Sequence, residues 1–198
     1  MKSARVLQVC TGRAQGLPVA GREVQSAIVK APRLGAVPVQ ALGLQGDEQA
    51  DPSVHGGLAR AVYAYPAEHA PFWQTVRAQA GVAPWGSTLA PGLFGENLLL
   101  QGLTEADLYI GDRLVVAGAG RSTGCVLAVS EPRQPCFKFN AVMGFAQAAQ
   151  LMQQSGYCGA YLLVLEAGDI ATGDSITLQP GPREVNLREL FLSRQRRR

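Results

Sequence analysis

The amino-acid sequence predicts a mainly β protein with a few helices, built as a closed or partly open β-barrel. Three observations point there. Short runs of β-branched, aromatic and aliphatic residues recur, with Gly, Pro or Asp at most of their boundaries. Apolar residues make up 47% and charged residues 17% of the 198 positions, a balance that buries one continuous core. The 23 glycines and 12 prolines are spread along the chain without a linker-like cluster, so no internal domain boundary stands out. Many short strands with frequent turns fold as barrels or sandwiches. The expected organisation is one barrel domain over 1–185, followed by a short helix and an Arg-rich tail over 186–198.

In chain order, strands are expected at 6–10, 27–30, 37–42, 61–65, 97–101, 114–117, 125–130, 161–165 and 175–179. A helix is expected over 66–80, where Pro66 suits a first helical position and Gly81 a stop. A second, rich in Ala, Gln and Met and ended by Gly156, is expected over 141–154, and a short third over 186–192. The sequence Ile110-Gly-Asp-Arg-Leu114 is echoed by Thr172-Gly-Asp-Ser-Ile176, each leading into an alternating strand. Such Gly-Asp turns serve hairpins generally, which leaves Asp112 and Asp174 outside the chemistry.

The net charge of +3 is concentrated at one end. Without Arg194, Arg196, Arg197 and Arg198 the count falls to 14 basic against 15 acidic residues. A nearly neutral body argues against a broad phosphate-binding face, so no nucleic-acid partner is expected for the domain body. The N-terminal apolar run is too short for a secretion signal, and no run approaches the ~20 residues of a membrane span. The expected location is cytoplasmic, away from membranes, where Cys10, Cys125, Cys136 and Cys158 would be thiols. Cys125 and Cys158 lie in apolar surroundings and read as small buried hydrophobes.

Cys136 has different neighbours. In Ser130-Glu-Pro-Arg-Gln-Pro-Cys136-Phe-Lys-Phe139, Pro132 and Pro135 stiffen the backbone immediately before the thiol. Arg133 and Lys138, within three residues of the sulfur, favour its thiolate if their side chains point the same way. Such a cysteine can be a nucleophile, a persulfide carrier or a soft metal ligand; on residue type alone it can equally be a structural cysteine in a turn. A second constellation runs from Gly46-Asp47 through Asp51 to His55-Gly-Gly57, where glycines next to a histidine would let a ligand approach. Turn capping explains the same residues. In a third, Pro91-Gly-Leu-Phe-Gly-Glu-Asn97, Glu96 and Asn97 offer hydrogen bonds to a polar heterocycle. His69, on the expected 66–80 helix, reads as a surface or packing residue.

These segments, in this order and spacing, resemble the stand-alone bacterial MOSC-domain proteins, the YiiM-like branch of the family named for the C-terminal domain of molybdenum cofactor sulfurases. The resemblance spans about 6–180 and includes Ala61-Val-Tyr-Ala-Tyr-Pro66 with Glu68-His69, Pro91-Gly-Leu-Phe-Gly-Glu-Asn-Leu98, Ile110-Gly-Asp112 and Pro132-Arg-Gln-Pro-Cys-Phe-Lys138. It implies a MOSC-type barrel in which Cys136 carries sulfur or ligates the molybdenum of a pterin cofactor. Arg133, Lys138, His55, Asn97, Glu96 and Asp51 become the expected cofactor-binding residues. Leu58 and Arg60 stand where the family has an acid and a Lys. Leu163 stands where it has an Arg, which removes an anion contact.

The expectation that follows is a molybdenum-dependent reductase of N-hydroxylated small molecules, supplied with electrons by a protein partner and independent of pyridoxal phosphate. A sulfur carrier holding a Cys136 persulfide, charged by a sulfur-donor protein, is the alternative. A barrel that binds cofactor without catalysis is the third.

Overall fold

The computed structural model describes residues 2–50, 56–118 and 122–195. In chain order it contains β1 (Ser3–Thr11), β2 (Gln15–Val19), β3 (Arg22–Ser26), β4 (Ala31–Pro32), β5 (Val37–Gln40), β6 (Gly43–Leu44), β7 (Val62–Pro66), α1 (Ala70–Gln79), β8 (Leu98–Gln101), β9 (Arg113–Ala117), β10 (Gly124–Pro132), α2 (Phe137–Met143), α3 (Ala148–Ser155), β11 (Ala160–Ile170), β12 (Ser175–Gln179) and α4 (Leu187–Gln195). Seven strands close a barrel in the order β9, β12, β1, β8, β7, β11, β10, and β10 returns to β9. Within that ring only β7 and β8 run parallel, with Ala64 opposite Leu98. β5 and β6 extend the sheet beyond β11, while β2 and β3 form a separate hairpin.

Side-chain alternation explains the closure. Leu114 and Val116 of β9 and Ile176 and Leu178 of β12 point inward between exposed neighbours, the period-2 pattern of a half-buried strand. β7 is buried on both faces. Its Val62 and Ala64 join the barrel interior, whereas Tyr63 and Tyr65 enter a second core with Trp73, Phe139, Met143, Met152 and Phe191 from the helices. Each fully buried large side chain of this second core contributes about 1.5–3 kcal/mol, which holds the helices on the barrel wall. Its polar tips are paired: Trp73 Nε1 donates to Tyr65 Oη at 2.6 Å, and Tyr65 Oη donates to the Tyr157 carbonyl at 3.1 Å.

The mainly β barrel agrees with the expectation, and four local differences have physical causes. Segment 27–30 forms no strand, because its backbone is pressed against glycine-containing loops. A Cβ on Gly12 would lie 2.2 Å from the Val29 carbonyl oxygen, and one on Gly92 2.5 Å from that of Lys30. The first helical segment opens as a 3-10 turn over Ala67–His69 and continues as α1 from Ala70 with Pro71 in its first turn, while Pro66 ends β7 and caps the turn. The segment 141–154 is two helices, α2 and α3, because the chain turns left-handed at Gly144 (φ 83°). The C-terminal helix is longer than 186–192 and docks back, burying Leu187 and Phe191, with Asn186 Oδ1 accepting from the Arg188 and Glu189 amides. Residues 196–198 of the Arg-rich tail lie outside the described residues. Among the described residues no helix is long and apolar enough to cross a membrane.

The Gly-Asp turns are structural. Asp112, fully buried, accepts from the Tyr109 and Gly181 amides, and Asp174 accepts from the Ala171 amide.

Candidate functional site

The segment before β4, the turn after β6, the start of β7, the loop before β8 and the β10–α2 connection meet around one cleft. Its enclosed part holds about 100 Å³, and the rest opens to solvent.

β10 ends at Pro132, and after Pro135 the chain enters α2 with Cys136 in extended backbone as the capping residue. The Cys136 carbonyl accepts from the Phe139 amide at 2.9 Å, fixing the junction. Its thiol is half-buried and lines the cleft, while Cys10, Cys125 and Cys158 are buried. Burial pushes the Cys10 and Cys125 thiols up to about 12 and raises Cys158 well above its ordinary value, so these three stay protonated and inert near neutrality.

Arg133 lies beneath the cleft surface, 5% exposed, its guanidinium 5.1 Å from the centre of the Tyr63 ring and 4.8 Å from that of Phe139. Among the described residues no carboxylate comes within 4 Å of it. Burial lowers its pKa, but the ionisable Tyr63, Tyr161 and Cys136 around it outweigh that and hold it above its ordinary value. Lys138 also lines the cleft and donates to the Gln25 carbonyl at 3.0 Å, tying α2 to the β2–β3 hairpin. Gln134, between Arg133 and Cys136, accepts at Oε1 from Gln195 Nε2. Its own Nε2 is buried and has no hydrogen-bond partner among the described residues.

The other wall is a set of matched charges. Lys30 and Asp47, with side chains 7% and 9% exposed, form an ion pair. The Asp47 carboxylate also accepts from the Gly12 amide at 2.8 Å and from Asn97 Nδ2 at 2.8 Å. Arg60 grips Glu131 through two nitrogens, at 2.6 and 3.3 Å. Tyr161 supplies an aromatic ring backed by the buried Tyr63, the ring centres being 5.3 Å apart.

The structure therefore brings Cys136, Arg133, Lys138 and Asn97 to one cleft. Asn97 braces it: Oδ1 accepts from the Tyr63 amide, and Nδ2 donates to the Cys10 carbonyl and to Asp47. Both amide hydrogens are thereby used. Glu96 is fully buried and does not line the cleft; its two oxygens accept from the Gly92 and Phe94 amides. Burial pushes its carboxyl up to about 7. Asp51 and His55 lie outside the described residues. His69 is a packing residue, bonded to Glu105 at 2.7 Å and stacked on Tyr157. The lining residues Lys30, Tyr63, Gln134 and Tyr161 carry no local signal as site residues, although a lone lysine closing the apolar run 27–30 is a hint in hindsight. Among the described residues no three or more His, Cys, Asp or Glu side chains could together hold a metal ion.

The MOSC domain family model matches residues 51–177. The chain is 38% identical over 180 residues to the uncharacterized protein YflK of Bacillus subtilis (strain 168), covering 90% of this chain and 75% of that protein. It is 36% identical over 186 residues to protein YiiM of Escherichia coli (strain K12), covering 92% and 75%. A protein named reductase from Gibberella moniliformis (strain M3125 / FGSC 7600) is 35% identical over 181 residues, which is 91% of this chain and 30% of that protein. Among solved structures, that of YiiM from Geobacillus stearothermophilus matches with a TM-score of 0.71 and 28% identity, covering 95% of this chain and 82% of that one.

Proposed function

Because this chain belongs to the MOSC domain family, we propose that it binds a molybdenum-pterin cofactor in the cleft, with the Cys136 thiolate as the metal's protein ligand, and reduces N-hydroxylated small molecules. The observation that carries the reading is a half-buried thiol lining the same cleft as a buried guanidinium with no carboxylate in reach among the described residues. The residues present fit the group. A soft thiolate suits molybdenum, Arg133 and Lys138 offset anionic oxygens, and the buried Gln134 Nε2 has no acceptor among the described residues.

When bound, the cofactor supplies the two-electron chemistry. The overall change takes an N–OH group, two electrons and two protons to N–H and water. The chain's own contribution is binding and shape. Arg133 is pre-placed between two rings, so its charge is offered with little reorganisation. Tyr161, backed by the buried Tyr63, gives a planar substrate an aromatic ring to pack on. The matched pairs Lys30–Asp47 and Arg60–Glu131 hold the walls rigid without adding net charge. An electron-transfer protein supplies the reducing equivalents.

The test uses the chain purified from a host that makes the cofactor. Pterin fluorescence in the oxidised extract, together with conversion of an aryl hydroxylamine by reduced viologen dye, is the expected result. Absence of both refutes the proposal.

The solvent access of Cys136 supports a second reading, a persulfide carrier. After exposure to a cysteine desulfurase, intact-mass spectrometry then shows a gain of one sulfur atom that is absent in Cys136→Ala; no gain argues against it.

A further inference from the structure

Three tyrosines gather at or behind the cleft, and they differ in how their hydroxyls are used. Tyr63 Oη donates to the Cys158 carbonyl at 2.9 Å, and Tyr65 Oη to the Tyr157 carbonyl. Tyr161 Oη makes no hydrogen bond among the described residues, and it is not sealed away as a buried orphan either. Tyr161 lines the cleft together with Cys136 and Arg133.

Everything else about Tyr161 is held. Its backbone pairs with Tyr63 on one side and Glu131 on the other, and its carbonyl accepts from Ser130 Oγ at 2.9 Å. Its ring packs against Tyr63, with the Arg60 guanidinium 5.8 Å from the ring centre and anchored in turn by Glu131. A fixed ring with an unspent hydroxyl is a donor whose ordering cost has been met by the fold. A site that commits such a donor to a substrate oxygen disfavours the analogue that lacks the oxygen.

We infer that Tyr161 is a specificity-determining residue of the cleft, its hydroxyl donating a hydrogen bond to the N-hydroxyl oxygen of a planar aromatic substrate that packs beside it. This inference rests on the proposed function for the substrate class alone. It assigns to Tyr161 the discrimination between the N-hydroxylated compound and the amine formed from it, so that product leaves more readily than substrate.

The experiment measures equilibrium binding of phenylhydroxylamine and of aniline to the cofactor-loaded chain without an electron donor, so that no turnover occurs. Wild type is expected to prefer phenylhydroxylamine by about three- to tenfold, the worth of one neutral hydrogen bond. Tyr161→Phe is expected to bind the two about equally, with aniline affinity, pterin content and melting temperature unchanged. A Tyr161→Phe protein that keeps the wild-type preference overturns this inference and leaves the proposed function standing. A wild type that holds no pterin but keeps a preference that Tyr161→Phe loses overturns the proposed function and supports this inference. A wild type that binds both compounds equally overturns the inference whatever its pterin content.

Discussion

Asp47 joins three partners in the cleft wall, and replacing it by Asn should cost far more than a surface charge change. Its carboxylate accepts from Lys30, from the Gly12 amide and from Asn97 Nδ2. Asn at this place leaves the Lys30 ammonium, 7% exposed, without its counter-charge, and turns an N–H₂ group toward one of the donors. Removing one partner of a buried ion pair costs about 3–5 kcal/mol. For a chain of this size that lowers the melting temperature by roughly 6–20 °C. The asymmetry of the cluster gives a sharper test. Lys30→Met leaves Asp47 with two remaining donors and should cost less than Asp47→Asn, while Lys30→Met added to Asp47→Asn removes the stranded charge and should restore about half of the loss. Urea unfolding followed by tryptophan fluorescence, with Trp73 buried in the second core, reads all four proteins. A loss under about 1 kcal/mol for Asp47→Asn, or a double variant less stable than that single one, would refute the reasoning.

Glu96 makes stability depend on pH. Its folded value of about 7 lies above the ordinary 4.5, so the folded state binds the proton more tightly. The stabilisation is complete below about pH 4.5 and is lost as pH rises through 7, a fall of about 3 kcal/mol; Glu96→Gln should flatten that slope in urea titrations at pH 5, 6 and 7, and an unchanged slope places its origin elsewhere. Arg133→Met removes a cation that no described carboxylate matches, so melting should shift by only a few degrees while cofactor affinity falls about 10- to 100-fold, read as pterin content on dilution. Full retention of pterin contradicts the assigned role. Gly159 has φ +67°, and an added Cβ would lie 2.5 Å from the Ala64 carbonyl oxygen and 2.7 Å from the Tyr63 ring. Gly159→Ala should therefore lose at least about 2 kcal/mol, checked by its urea midpoint; wild-type stability would show that β11 can shift to make room.

The barrel was legible because its strands carry their own signals. β12 was expected over 175–179 and forms there, with Ile176 and Leu178 alternating against polar neighbours. β7 stood out as an almost unbroken apolar run because both of its faces are buried. The run 27–30 looked the same and forms no strand, since Ile28 and Lys30 are used to line the cleft, and that packing depends on Gly12 and Gly92, far away in sequence. The site divides in the same way. Arg133, Cys136 and Lys138 were visible as one short motif between prolines. Lys30, Tyr63, Gln134 and Tyr161 reach the cleft only through barrel closure and through the β10–α2 junction, so even the motifs that contain Tyr63 and Gln134 do not mark them as lining residues. Asn97 lines the cleft, but its position in the sequence cannot show that its amide is already spent on Cys10 and Asp47.

The central claim, that Cys136 holds a metal-bearing cofactor in this cleft, is tested most directly by the molybdenum-to-chain ratio of wild type and Cys136→Ala purified side by side from a host that makes the cofactor. The account predicts a ratio approaching one for wild type and a several-fold lower ratio for Cys136→Ala at equal thermal stability. Equal ratios in the two proteins, or no molybdenum in either, would contradict it.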